Sequence, residues 1–156
     1  MDKVDSSQFQ GYLVGQVIAA SVGALLLALE DFGGFYSRNY YLGVETYGYI
    51  YLGSGVLTTV LILMGLAGLL ISFRAAIISL QAKDSATFEM LEHNARTSMK
   101  GAGFTVLLSA LGAIVFAISS TIDETDWWLD GGFYGAFIGG LLVFFFGKLI
   151  LDRINT

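Results

Sequence analysis

Residues 101–120 read GAGFTVLLSALGAIVFAISS, a run that contains no charged side chain. A bilayer core about 30 Å thick needs about 20 apolar residues at a rise of 1.5 Å each, so this run has the length of a membrane-spanning helix. Barrel strands would instead alternate polar and apolar residues over about 10 positions. A helix also satisfies its own backbone groups, which lipid requires. The stretch therefore predicts a transmembrane helix.

Three further apolar runs occur along the chain, at residues 11–29, 55–73 and 132–151. The 156-residue chain is 55% hydrophobic and 13% charged, with a mean hydropathy of +0.70, whereas soluble domains carry about 25% charged residues. We therefore predict an all-α integral membrane protein, with residues 1–156 forming a single domain of four transmembrane helices. The second span is expected to continue to about Ala82, because the segment after it also looks helical.

Four spans put both termini and the loop 74–100 on one side of the membrane, and the loops 30–54 and 121–131 on the other. Seven of the eight basic residues lie on or near the first side, and only Arg38 lies on the second. The seven are Lys3, Arg74, Lys83, Arg96, Lys100, Lys148 and Arg153. The positive-inside rule predicts cytoplasmic termini and a location in the cell membrane. The acidic N-terminal segment does not resemble a cleavable signal, so the first span is expected to be retained.

Small residues recur at every fourth position in three of the spans, which places them on one face of each helix. A stripe without side-chain bulk lets two helix backbones approach closely. We therefore predict a tight, small-residue-packed bundle, or tight packing between copies or with other subunits. The predicted packing residues are Gly11, Gly15, Gly23, Gly101, Ser109, Ala113, Gly131, Gly135 and Gly139.

The strings ASVGALLLA at 20–28 and SALGAIVFA at 109–117 are similar. Two explanations stand: a duplicated helical hairpin, or the shared composition of small-residue membrane helices.

The loop 30–54 is unusual because it holds six of the eight tyrosines. Tyrosine suits the bilayer interface and is also enriched at protein interfaces. The loop is therefore either an interfacial anchor or a docking surface for a partner, and alternation at its end also suits a short strand. The predicted docking residues are Tyr40, Tyr41, Tyr47, Tyr49 and Tyr51, and the predicted interface anchors are Trp127, Trp128 and Lys148.

The chain offers little for catalysis or metal binding. It has no cysteine and one histidine, His93, and the middle of each span lacks ionisable side chains. Acid–base catalysis needs such groups, so we predict no enzyme activity, no catalytic or metal-binding residue and no cofactor. Without a basic patch, nucleic acid is not an expected partner. Gln16, the most polar residue buried near a membrane boundary, is expected to form a hydrogen bond between helices.

Two families bear comparison. The glycine-rich hairpins resemble the rotary-ATPase proteolipid, but the second and fourth spans lack its mid-membrane carboxylate. The layout of four spans with a long first outer loop resembles tetraspan families such as claudins, whose W-GLW motif and paired cysteines are absent here. The likeness is one of topology alone and implies no site residue.

The function predicted from these observations is a non-catalytic structural or accessory subunit of a larger membrane complex. Its expected partners are other membrane subunits and lipid. The alternative is a homo-oligomeric small channel or transporter, since the small-residue stripes suit either class.

Overall fold

The computed structural model describes residues 7–39, 41–82 and 85–155. The elements in chain order are α1 (Ser7–Leu29), β1 (Gly33–Asn39), β2 (Val44–Ile50), α2 (Val56–Ala82), α3 (Phe88–Ile122), β3 (Asp126–Leu129) and α4 (Gly131–Ile154). All four helices are long and apolar enough to cross a membrane. The prediction of four apolar helices is confirmed, and their arrangement is consistent with a helical membrane bundle.

The predicted loop 74–100 is mostly helical. α2 continues past Arg74 to Ala82, as expected, and α3 begins at Phe88, well before residue 101. Thr87 caps α3, because its side-chain hydroxyl accepts a hydrogen bond of 3.2 Å from the backbone N–H of Met90. Such a cap satisfies one of the free N–H groups at a helix start. The α2–α3 connection is therefore short.

Each helix packs against its neighbours in the order α1, α2, α3, α4, and the most extensive contacts join α1 to α4 and α2 to α3. The bundle core has three layers. Phe9, Leu91 and Ile150 lie in the layer near the α2–α3 connection, which we call the loop end. Ala20, Ala102 and Val143 form the middle layer. Leu27, Ile62 and Phe133 form the third layer, near the strands, at what we call the sheet end.

The loops predicted at 30–54 and 121–131 form one three-stranded antiparallel sheet, in the order β2-β1-β3. The all-α prediction did not include this sheet. Alternating tyrosines in β2 favour a strand, but the pairing of β1 with β3 joins segments that are about ninety residues apart in the sequence. Sequence periodicity carries no information about such a distant partner.

α3 continues well past the sheet-end termini of α1 and α4. Its Gly112 lies beside the ring of Phe32, which directly precedes β1. The ten residues from there to Ile122 correspond to about 15 Å of helix. One side of this extension contacts the sheet through Phe116, whose ring lies 5.8 Å from that of Trp127. The other side exposes the apolar side chains Ile114, Val115, Ile118 and Ile122.

Candidate docking surface

The sheet has two different faces, because successive residues of a strand point to opposite sides. One face is turned toward the bundle: Ile50 and Leu129 pack on the sheet-end core. The opposite face carries aromatic side chains from all three strands. These are Tyr36 from β1, Tyr47 and Tyr49 from β2, and Trp128 from β3. We call these four residues the aromatic face.

Ring contacts hold the aromatic face together. Tyr36 and Tyr47 are directly opposite each other on β1 and β2, and their ring centroids are 4.9 Å apart. Tyr49 and Trp128 reach toward each other across β1 and meet edge to face at 6.1 Å. Cross-strand aromatic pairs of this kind each stabilise a sheet by a few tenths to about 1 kcal/mol.

Two glycines make room for aromatic rings, Gly34 on the aromatic face and Gly48 on the face turned toward the bundle. A Cβ atom on Gly34 would collide with the indole of Trp128, and a Cβ atom on Gly48 would collide with the ring of Phe35. Each ring covers the glycine that is its cross-strand partner. An aromatic ring over a glycine is a known way of stabilising a strand that glycine alone would weaken.

β2 is an edge strand of seven residues with one charged side chain, Glu45. The backbone groups along its outer edge therefore have no partner strand in the part of the chain that the structure describes. Natural edge strands are usually protected by proline, lysine or a bulge, because an open edge can pair with another strand. β2 contains neither proline nor lysine.

The predicted docking tyrosines fall in three places. Tyr47 and Tyr49 belong to the aromatic face, and their exposed fractions are 60% and 47%. Tyr51 follows β2 directly and is also about half exposed, while Tyr41 lies fully exposed in the turn between β1 and β2. Tyr40 lies outside the described residues. Tyr36 and Trp128 could not be predicted as parts of the same surface, because only the strand register brings them beside β2.

One ion pair lies at the turn end of the aromatic face. The guanidinium of Arg38 lies 3.7 Å from the carboxylate of Glu45, its cross-strand partner. Both groups are exposed, so the pair contributes little stability. Partial burial raises the pKa of the Tyr36 phenol, and the hydrogen bond to Glu45 and its negative charge raise that pKa further.

The three predicted interface anchors do not lie together. Trp127 and Trp128 are neighbours on β3 and therefore project from opposite faces of the sheet, Trp127 toward Phe116 of α3. Lys148 is exposed on α4 near the loop end. Whether any of them anchors the protein at a membrane interface stays a prediction.

Several predicted packing glycines lie at the contact between α1 and α4. A Cβ atom on Gly23 would lie 2.7 Å from the carbonyl oxygen of Gly135, and one on Gly139 would lie 2.9 Å from the Cα atom of Gly23. Gly15 lies under the ring of Phe146, whose nearest atom would be 2.8 Å from an added Cβ. These glycines face another helix of the same chain, so a bulky substitution here would disturb the monomer and would not report on binding to a partner.

The remaining predicted packing residues differ in their surroundings. Gly101 lies against Gly68 of α2, and Gly131 lies beside Glu30. Ser109 is buried, and Ala113 packs on the sheet-end core. Gly11 is exposed, and a Cβ atom there would meet no heavy atom within 4 Å, so Gly11 takes no part in packing between the described helices.

A row of small residues on α2 was not predicted, because its members do not recur at every fourth position. Four small residues of α2, at intervals of three, four and seven, are buried facing α3: Gly65, Gly68, Ser72 and Ser79. An average spacing of 3.5 keeps a stripe facing one neighbouring helix. Counting small residues at alternating intervals of three and four would have found it.

Buried polar side chains link the helices in pairs. The Gln16 amide donates a hydrogen bond of 3.2 Å to the carbonyl oxygen of Val143, which confirms the predicted bond between helices. The Ser72 hydroxyl donates to the carbonyl oxygen of Ser98 at 2.8 Å, and the Thr105 hydroxyl donates to that of Gly65 at 2.8 Å. No buried side-chain nitrogen or oxygen of the described residues lacks a hydrogen-bond partner. The buried polar groups therefore already have a structural role.

Comparison with known proteins adds no relative to this description. No protein-family model, no curated protein and no solved structure matches the chain.

Proposed function

We propose that the protein is a non-catalytic structural or accessory subunit of a larger membrane complex, and that the sheet binds another subunit. The observation that carries the proposal is the aromatic face beside the open edge of β2. Tyr47, Tyr49 and Trp128 present large, amphipathic rings, and tyrosine and tryptophan are enriched where protein interfaces are strongest. A neighbouring edge strand offers backbone hydrogen bonds to an added strand.

The rigidity of this surface supports the same proposal. The Trp128 ring of the aromatic face packs over Gly34, and the sheet rests on the bundle core through Ile50 and Leu129. A surface that is ordered before binding loses less conformational entropy when a partner docks. A tyrosine-rich loop without a sheet would not have this advantage.

The test is native purification in mild detergent, followed by mass spectrometry of the proteins that co-migrate. We expect defined stoichiometric partners with the wild-type chain, and their loss when Tyr47 and Tyr49 are both changed to serine. Tyr134→Ser is the matched control, because Tyr134 is also about half exposed but lies on α4 and is not part of the aromatic face. Partners that remain with the double variant, or that leave with the control, would contradict the proposed surface.

A different result would favour the alternative function. A homo-oligomer without other subunits, together with ion flux through liposomes that contain only this chain, would indicate a small channel or transporter. The same Tyr47 and Tyr49 variants would then be expected to leave the flux unchanged.

A further inference from the structure

We propose that an open groove between α2 and α3 binds one anionic phospholipid, with the lipid phosphate on Lys100 and the upper part of an acyl chain along the groove. The proposal concerns the bundle and not the sheet, so it does not rest on the proposed subunit function. It follows from the shape of the groove, from the position of one charged residue at its end and from comparison with a second groove.

The groove is a cavity of about 360 Å³ on the outside of the bundle. Gly68 and Gly101 lie on its floor, where the backbones of the two helices come into close contact. Its walls include Met64, Ile71 and Phe104, all apolar. It extends over about seven residues of each helix, which corresponds to about 10 Å. An apolar groove of this length on a membrane-spanning helix pair fits the first segment of an acyl chain.

Lys100 and Thr97 lie at the end of the groove that is nearer the loop end. From Gly101 onward, α3 has no charged side chain until Asp123, so Lys100 marks the point where its apolar surface begins. Lysine at such a boundary places its stem along apolar surface and its ammonium group among the lipid headgroups. One phospholipid can therefore place its phosphate at the depth of Lys100 and its acyl chain in the groove.

No acidic side chain in the described part of the chain forms an ion pair with Lys100. Arg96, one turn earlier, by contrast binds Glu92 at 2.8 Å. Attraction to anionic lipid strengthens binding about fivefold for each lysine near the membrane surface. Lys100 is thus free to select a lipid with a net negative headgroup over a zwitterionic one.

A second groove, between α1 and α4, shows what is special about the first. It is somewhat larger, about 450 Å³, and Gly15, Gly23, Gly135 and Gly139 line it. None of the described residues that line it is charged. A lipid chain in this second groove would have no fixed headgroup contact, so we expect it to exchange without preference for the headgroup.

The test uses the full chain purified in mild detergent and mixed with equal amounts of phosphatidylglycerol and phosphatidylcholine that carry the same acyl chains. Native mass spectrometry then counts each bound lipid. We expect one phosphatidylglycerol to be retained in preference, and Lys100→Gln to weaken its binding about fivefold. Lys148→Gln is the matched control, since Lys148 is another exposed lysine near the loop end but lines neither groove.

A second variant tests the part of the site that binds the acyl chain of the lipid. Ala67 lies on the exposed wall of the groove, so Ala67→Phe is expected to fill the groove without disturbing the core, and to reduce phosphatidylglycerol binding to a similar degree. Circular dichroism and thermal unfolding check that each variant folds. Equal retention of both lipids, an equal loss with Lys148→Gln, or full binding by Ala67→Phe would each overturn the proposal.

Discussion

Gly68 of α2 and Gly101 of α3 lie so close together that neither position has room for a side chain. A Cβ atom on Gly68 would lie 2.6 Å from the carbonyl oxygen of Gly101, and a Cβ atom on Gly101 would lie 2.5 Å from that of Gly68. Both atoms belong to backbone, which cannot rotate away as a flexible side chain can. The separation of α2 and α3 at this level is therefore set by the absence of two methyl groups.

Gly68→Ala and Gly101→Ala are each expected to lower the free energy of unfolding by about 1–3 kcal/mol, the usual cost of adding a methylene to a packed site. Steric trapping in bicelles measures this quantity. Gly103→Ala is the control, because its nearest neighbour would be the Phe144 ring at an ordinary 3.9 Å. If Gly101→Ala is as stable as Gly103→Ala, the two backbones are not in close contact.

Gln16→Met is expected to lower the free energy of unfolding by about 0.5–1.5 kcal/mol, the net value of a typical hydrogen bond. Methionine has a similar length but cannot donate to the Val143 carbonyl, so the link between α1 and α4 is lost. Gln10→Met on the exposed face of the same helix should change stability much less. A Gln16→Met protein more stable than wild type would mean that apolar packing outweighs the hydrogen bond at this position.

Thr105→Val removes a hydroxyl while keeping the shape of the side chain. The Thr105 hydroxyl bonds both to the carbonyl oxygen of Gly65 on α2 and to that of Gly101 on its own helix, α3. Interhelical bonds in membranes average about 0.6 kcal/mol and reach about 1.7 kcal/mol, and we expect a loss in this range. Thr121→Val is a close control, since Thr121 is exposed and bonds only within α3, to Ala117. An equal loss for both variants would assign the effect to the local bond alone.

The sheet is expected to weaken in alkaline solution. The pKa of Tyr36 lies above the ordinary tyrosine value of 10.0, because partial burial and Glu45 disfavour the phenolate. Above pH 10 the unfolded chain therefore releases this proton more readily than the folded chain, and stability falls with rising pH until the raised pKa is passed. Below pH 10 the contribution of the protonated Tyr36 phenol to the free energy of unfolding is fully present.

Tyrosinate absorbance of the wild type and of Tyr36→Phe, compared over the alkaline range, isolates the titration of Tyr36. We expect the absorbance difference between the two proteins to develop with a midpoint above pH 10. That midpoint should move toward pH 10 when Glu45→Gln removes the negative charge. A difference that titrates at or below pH 10 in the wild type would show that the folded sheet does not hold the phenol in its neutral form.

The helical part of this fold follows directly from the sequence. Each apolar run is long enough to cross a bilayer by itself, and a helix forms its backbone hydrogen bonds locally. The four spans could therefore be predicted without knowing which helices pack together. The same local logic predicted the extension of α2 and the hydrogen bond of Gln16. Small-residue periodicity identified the α1 and α4 stripes but did not reveal that both serve one contact inside the chain.

Tertiary structure decided the rest, because each remaining feature depends on a partner far away in the sequence. The pairing of β1 with β3 places Trp128 over Gly34 and beside Tyr49, and no local pattern encodes that register. The groove that ends at Lys100 forms between two antiparallel helices, where Gly68 and Gly101 meet at one level. Backbone hydrogen bonds within a helix are local and can be predicted from composition, whereas contacts between elements depend on how side chains from distant segments fit together.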